Sequence, residues 1–275
     1  MKIDDLKYIA EKFKNTQKMP VLFIGHGSPM NAIEDNEFTK NWNLIGKSIQ
    51  RPNAIVCISA HWETNGTQIT AMENPKTIHD FGGFPKELFD VEYPAKGNQK
   101  LAEEIKNTAA PTEIILDYNW GLDHGAWSIL KHLYPNANIP VIQLSLDYKK
   151  TSNSHYEFAK NLNFLRHKGI LVIGSGNLVH NLKMIKWDKL NESEYGYEWA
   201  NEISLIFKTN IINGNHKALI DYNNLSRYSN LAIPTPEHYL PLLYTLALQD
   251  RNDSISFFND KAIGGSLTMT SLLIN

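Results

Sequence analysis

VLFIGHGSP, residues 21–29, is the stretch whose reading decides the fold. The apolar run Val21–Ile24 is too short for a helix and reads as a strand buried on both faces, as parallel sheets require. It ends in Gly25-His26-Gly27-Ser28-Pro29. Glycine lets the chain turn at a strand end without a Cβ penalty, and Pro29 stops the ladder or opens a helix. His26 is therefore held on a tight loop at the end of a central strand, where open α/β sheets place their sites. One such histidine carries little weight. Three more occupy similar settings: His61 in ISAHWE, His180 in IGSGNLVHN and His238 in PTPEHYLPL.

Working outward, Leu6, Ile9, Ala10 and Phe13 predict a short amphipathic helix over residues 4–14, part of an N-terminal extension over 1–19. Further helices are expected over 36–49, 98–108, 124–133, 154–167, 195–208 and 237–248. Strands are expected over 54–60, 68–72, 113–117, 140–146, 169–174, 254–258 and 266–272. The segment 75–94, with HDFGGFP at its centre, reads as a loop whose aromatics suit a lid or pocket wall. Strands alternating with helices predict an α/β fold: a mostly parallel or mixed central sheet with helices on both faces. No linker, repeat or shift in composition divides the chain, so residues 1–275 are expected to form a single catalytic domain.

Composition narrows the function classes. The charged fraction is 20% and the formal net charge −2, with no basic stripe, which argues against a nucleic-acid partner. The single cysteine, Cys57, sits inside the apolar run 54–59; it has no disulfide partner and no CxxC spacing for zinc. The N-terminus carries acids early and lacks the apolar stretch of a signal peptide. No segment reaches the roughly 18 apolar residues that a membrane span needs. A cytoplasmic, membrane-free location is expected.

The histidines carry the chemistry. Neutral imidazole is the commonest ligand for zinc, iron and copper. If the first two strands are parallel neighbours, His26 and His61 emerge at the same sheet edge. The third ligand should come from PTPEHYLPL. At a helix start, the side chains of Glu237 and His238 diverge by about 100°, so only one of them would reach an ion. With Glu237 the site is a two-His-one-carboxylate triad; with His238 it is a three-His site, which zinc also accepts. Glu63 is a further carboxylate candidate, two residues beyond His61. The bland reading of Glu237 is a charge stabilising its helix. His180 reads as a fourth metal contact or as an acid/base group. His124 sits at a helix N-terminus, where the dipole favours neutral imidazole; its bland reading is a helix-entry histidine held by Asp123. His79, His132, His155, His167 and His216 read as solvated. Trp62, Phe81, Phe84 and Trp127 are candidate aromatic walls.

GHGSP, SAHWET, DHGAW, GSGNLVHN and TPEHYLPL occur in that order. With them the chain resembles the DOPA 4,5-dioxygenase (DODA) branch of the class III extradiol ring-cleavage dioxygenases, from about Pro20 to the C-terminus. The resemblance implies that His26, His61 and His238 hold one divalent metal per chain. It implies Fe(II) for activity, with Zn(II) expected in the protein as isolated. It places His180 at the acid/base position or in contact with the metal, with His124 as a second catalytic group. The implied partners are a small-molecule catechol and O2, the implied product a semialdehyde; the oligomeric state is left open. Two other readings compete: a zinc-dependent hydrolase or amidase using Glu63 or Glu237 as base, and a non-catalytic interaction protein of the same fold.

Overall fold

Strict alternation in three strands sets the architecture. Val21 and Phe23, Ala54 and Val56, Ile170 and Val172 enter one apolar cluster; Leu22 and Ile24, Ile55 and Cys57, Leu171 and Ile173 enter the other. Each strand is thus buried on both faces, and a sheet so buried must be covered on both sides. The computed structural model describes residues 18–190, 192 and 194–275. The helix expected over 4–14 lies outside the described residues, but Met19 already belongs to the domain, its N–H donating to Arg166 O at 2.9 Å.

The strands are β1 Val21–Gly25, β2 Ala54–Thr64, β3 Thr67–Thr70, β4 Ile114–Asp117, β5 Val141–Asp147, β6 Ile170–Gly176, β7 Ile255–Phe258, β8 Ala262–Ile263, β9 Leu267–Thr268 and β10 Ser271–Ile274. Eight form one sheet in the order β4-β3-β5-β2-β6-β1-β10-β7, and β8 pairs with β9. The centre, β5-β2-β6-β1, is parallel, while β3 against β5 and β10 against β1 are antiparallel. The sheet is mixed and the class is α/β, as expected from the sequence.

The helices of eight residues or more are α1 Glu37–Ser48, α2 Gln99–Thr108, α3 His124–Leu133, α4 Ser152–Lys160, α5 Glu198–Ile212 and α6 Leu240–Ala247. Helices α1 and α3 pack on the Leu22/Ile24 face; α2, α4, α5 and α6 pack on the other. Caps define several starts. Asn36 closes a capping box with Thr39 at the head of α1, and Asp123 accepts from Ala126 N at the head of α3.

The structure corrects several expectations. β1 and β2 are not neighbours, because β6 lies between them. β2 runs past residue 60 to Thr64, and its register on β5 slips: Ile58 pairs with Leu144 but Glu63 with Leu146. That irregularity bends β2 just where His61 leaves the ladder. The strand expected over 266–272 is broken into β9 and β10, with Met269 N turned back onto Lys261 O. The helix expected over 154–167 ends at Lys160 and continues as a 3-10 turn over Asn163–Lys168. The helix expected from Glu237 begins only at Leu240.

Candidate active site

Strand parity decides which face receives the first histidines. Residues 22, 24 and 26 share a face of β1, and 171, 173 and 175 the same face of β6; on β2, 55, 57 and 59 point the same way and lead to 61. All point toward α3. His26 N donates to Gly176 O at 3.1 Å, and Asn31 Nδ2 holds His26 O at 2.9 Å. Gly27, at φ 65, makes the turn that a side-chain-bearing residue would strain to adopt.

His238 arrives from the opposite face, over the end of β6. Its carbonyl accepts from Asn177 N at 2.8 Å, and a Cβ on Gly176 would lie 2.1 Å from that oxygen. His180 is tied by its N–H to Ala232 O at 2.8 Å and bridges to Leu267.

The imidazoles converge. His26 Nε2 and His61 Nε2 are 3.1 Å apart. Ring centres are 5.0 Å apart for His26–His61, 5.3 Å for His26–His238 and 5.0 Å for His61–His238. His124 crowds closer to His61, at 3.8 Å, and His180 stacks on His238 at 3.5 Å with planes 7° apart. Two groups have ligand atoms within 4.8 Å of one another: His26, His61 and His124, and His180, Glu237 and His238.

Hydrogen bonds at the back of the rings leave defined nitrogens facing inward. Ser175 Oγ gives its proton to Gly125 O at 2.6 Å, so at 2.9 Å from His26 Nδ1 it can only accept. His26 is thus the Nδ1–H tautomer with a lone pair on Nε2. His238 Nδ1 donates to Glu237 Oε1 at 3.0 Å, which frees its Nε2 in the same way. Thr235 Oγ1 donates to the same oxygen at 2.9 Å. His124 donates twice to Asp80, from N to Oδ1 and from Nδ1 to Oδ2, both at 2.9 Å; His61 Nδ1 is 3.7 Å from that Oδ2.

These rings floor a cleft of about 440 Å³ walled by Phe81, Phe84, Leu182, Ile185 and Trp187. Buried imidazoles with lone pairs fixed inward, beside an apolar wall, are a set that could hold a metal ion next to a flat aromatic ligand. Residues 20–264 match the family described as the catalytic LigB subunit of aromatic ring-opening dioxygenase. The chain belongs to this family.

This LigB-family chain is 44% identical to the 4,5-DOPA dioxygenase extradiol of Escherichia coli K12 over 97% of the chain and 98% of that protein. It is 33% identical to the 4,5-DOPA dioxygenase extradiol of Beta vulgaris over 90% of the chain and 94% of its relative. A crystal structure of an uncharacterized Escherichia coli K12 protein superposes with a TM-score of 0.81 at 40% identity, covering 94% of this chain and 100% of that one. The chain is an extradiol ring-cleavage dioxygenase of the class III superfamily, in the DODA branch that its motifs resemble. Its partners are therefore a small molecule and O2. No helix among the described residues is long and apolar enough to cross a membrane.

The electrostatics suit neutral imidazole. Burial, then its histidine neighbours, pushes His26 and His238 well below the usual histidine range. His61 falls to about 3, chiefly through burial and then His124, and His180 to about 4 through burial. Asp80 is opposed by burial but held below the usual carboxylate range by its bonds to His124. Such lone pairs are available to a cation without losing a proton first.

Several sequence readings change in the family site. His124 is held by Asp80, not Asp123; the buried Asp123 is occupied by Ser59, Gln143 and Ala126 N. Glu237 and His238 do not diverge, because they sit in a turn before α6 and hydrogen-bond each other. Glu63 is exposed and outside both ligand groups. Phe81 and Phe84 do line the cleft, whereas Trp62 stacks on Trp120 and Trp127 is fixed to Ile78 O, both buried. Of the histidines read as solvated, His155 is fully buried, His79, His132 and His216 are half-buried and hydrogen-bonded, and His167 is exposed. Asp80 and Ser175 escaped sequence reasoning. The available signals were a carboxylate amid the aromatics of HDFGGFP and a serine on the same strand face as Leu171 and Ile173.

Proposed function

We propose that this dioxygenase inserts O2 into a catechol ring beside the diol, in the manner of a DOPA 4,5-dioxygenase, giving a semialdehyde. One divalent metal would be held by His26, His61 and His238, with Fe(II) for activity and Zn(II) as the ion retained on isolation. The observation that carries the reading is the near-equal spacing of three rings at 5.0, 5.0 and 5.3 Å. With metal–nitrogen bonds of about 2.0–2.1 Å and ring centres about 1.1 Å beyond the nitrogen, tetrahedral geometry gives ring spacings of about 5.2 Å. His124 is too close to His61 for that pattern; with its Nδ1–H given to Asp80, its Nε2 lone pair serves better as an acceptor for a substrate hydroxyl. A ligand role fits His180 poorly. Its ring lies parallel to that of His238 at 3.5 Å with planes 7° apart, so the two rings present their nitrogens side by side and do not converge on one point as His26, His61 and His238 do.

When bound there, a redox-active ion supplies the one-electron chemistry that lets triplet O2 react with a closed-shell ring. The chain's own residues do the rest. Phe81 and Phe84 form an apolar wall against which the ring lies, and they exclude water from it. His180, neutral through burial, accepts a catechol hydroxyl proton at its free ring nitrogen. The developing catecholate, like Glu237, raises the affinity of His180 for that proton. The same imidazolium can later return the proton to a substrate oxygen as the ring opens. His124, anchored by Asp80 at Nδ1, presents Nε2 toward the substrate oxygens.

A hydrolase needs a carboxylate base free to activate water, but Glu237 is engaged with His238 and Thr235, and Glu63 is exposed. The test is anaerobic loading with Fe(II) or Zn(II), then an oxygen electrode with DOPA, protocatechuate and catechol. The Fe(II) protein should consume O2 and form a yellow product, and the Zn(II) protein should do neither. Absence of uptake with every catechol would overturn the proposal.

A further inference from the structure

The same cleft carries information about what hangs from the ring. No lysine or arginine lines it among the described residues. Two nearby cations are already committed: Lys131 Nζ donates to Ala32 O at 3.1 Å, and Lys261 pairs with Glu37 at 2.7 Å. A carboxylate on the substrate would therefore enter a cleft that no lysine or arginine lines among the described residues.

A carboxylate lines it instead. Glu34 is exposed to solvent and has its Oε2 held by Asn36 Nδ2 at 3.2 Å. Asn36 Nδ2 also donates to Asn31 Oδ1 at 2.8 Å, and Asn31 in turn holds the carbonyl of His26. The carboxylate is thus tied through two side-chain amides to the loop that carries a site histidine. Among the described residues no cation pairs with Glu34. The same cleft has an apolar wall of Leu182, Ile185 and Trp187; Trp187 is 69% exposed although it faces the cleft. A methylene chain would cover that surface.

We infer that this enzyme selects catechols whose short ring substituent ends in a cationic amine, with Glu34 as the specificity-determining anion, and that it makes no ion pair with a substituent carboxylate. The inference rests on the ring-cleavage reading and deepens it. It states that, if the substrate carries both an amine and a carboxylate, the amine is the recognised group. The decarboxylated analogue should bind at least as well as the amino acid.

The test uses three catechols that share a ring and differ at the end of a two- or three-carbon chain: an ethylamine, a neutral ethyl group and a propionate. Equilibrium affinity is read anaerobically by titration calorimetry on the Zn(II)-loaded full chain, and kcat/KM on the Fe(II)-loaded chain. The amine should bind about 1.5- to fivefold more tightly than the ethyl compound, the range for a solvent-exposed ion pair, and the propionate more weakly than either. In Glu34→Gln, which keeps an acceptor for Asn36, the amine-to-ethyl ratio should fall to about one. In Glu34→Lys the order of amine and propionate should invert. Raising ionic strength should shrink the amine's advantage in the parent chain and leave Glu34→Gln unmoved. Propionate binding as well as the amine, or an unchanged ratio in Glu34→Gln, would overturn the inference while leaving ring cleavage intact. Failure to bind or turn over any of the three would strike the ring-cleavage reading itself.

Discussion

Glu237 offers the sharpest perturbation of the site, because the structure gives it one task. Its Oε1 accepts His238 Nδ1–H at 3.0 Å and Thr235 Oγ1–H at 2.9 Å, and its side chain is 19% exposed. A carboxylate there fixes the ring and its tautomer and makes Nε2 a stronger donor to a cation. Hydrogen bonds to a charged partner contribute about 1.5–3 kcal/mol, and neutral ones about 0.5–1.5. Glu237→Gln, which keeps an oxygen at the same reach, should therefore lose about 1–1.5 kcal/mol, roughly five- to thirteenfold in metal affinity. Glu237→Ala removes the acceptor altogether, and loss of such partners costs about 10–100-fold. The assay is anaerobic competition of the loaded protein against a chelator of known affinity, with Glu63→Gln, an exposed carboxylate outside both ligand groups, as the control. A ranked series, parent and control above Gln above Ala above His238→Ala, is expected. Two results would refute the reasoning. One is Glu237→Ala within twofold of the parent, which would make the contact inert. The other is Glu237→Ala releasing the ion as completely as His238→Ala, which would make Glu237 itself a ligand.

Three further perturbations follow from the same geometry. His180→Ala should keep its ion but lose about 10²–10⁴-fold in turnover, the usual worth of a positioned acid/base, read by metal analysis beside kcat; loss of the ion instead would make it a ligand. Gly125→Ala would put a Cβ 2.5 Å from Ser59 Oγ and 2.8 Å from His61 Cδ2, so metal affinity should fall at least about tenfold. Its far-ultraviolet circular dichroism should stay native, and unchanged affinity would contradict the packing argument. His155, fully buried with Nδ1 2.9 Å from Tyr244 OH, titrates at about 4 because of burial. Between pH 6.5 and about 4 the unfolded chain binds the extra proton, so stability should decline as pH falls through that window, by at most about 3 kcal/mol. Unfolding free energies against pH should show a shallower slope in His155→Gln, and parallel curves would exclude this origin.

Much of the site is legible in the sequence because strand ends advertise themselves. Val21–Ile24, Ala54–Cys57 and Ile170–Ile173 are continuous apolar runs, and sheets buried on both faces leave their C-terminal ends as the place for polar groups. What the sequence hides is order and the next layer outward. Nothing local says that β6 separates β1 from β2, since strand order is set by long-range packing of α1 and α3 against one face. Asp80 and Ser175 become meaningful only when the Pro75–Pro94 segment and β6 close on the histidines from either side. Around Glu237 a proline-flanked turn resembles a helix start. His155 reads as solvated because its helix is mostly polar, and the one buried stripe of α4, which includes Phe158 and Ala159, is too short to stand out.

The central claim is that His26, His61 and His238, distant in the chain, share one divalent ion. Crystals grown and soaked anaerobically with Fe(II), with diffraction collected on both sides of the iron absorption edge, test it most directly. The account predicts a single anomalous peak about 2.0–2.2 Å from the Nε2 atoms of these three rings, with His180 outside bonding distance. A peak held instead by His26, His61 and His124, or by Glu237 with His180, would contradict it.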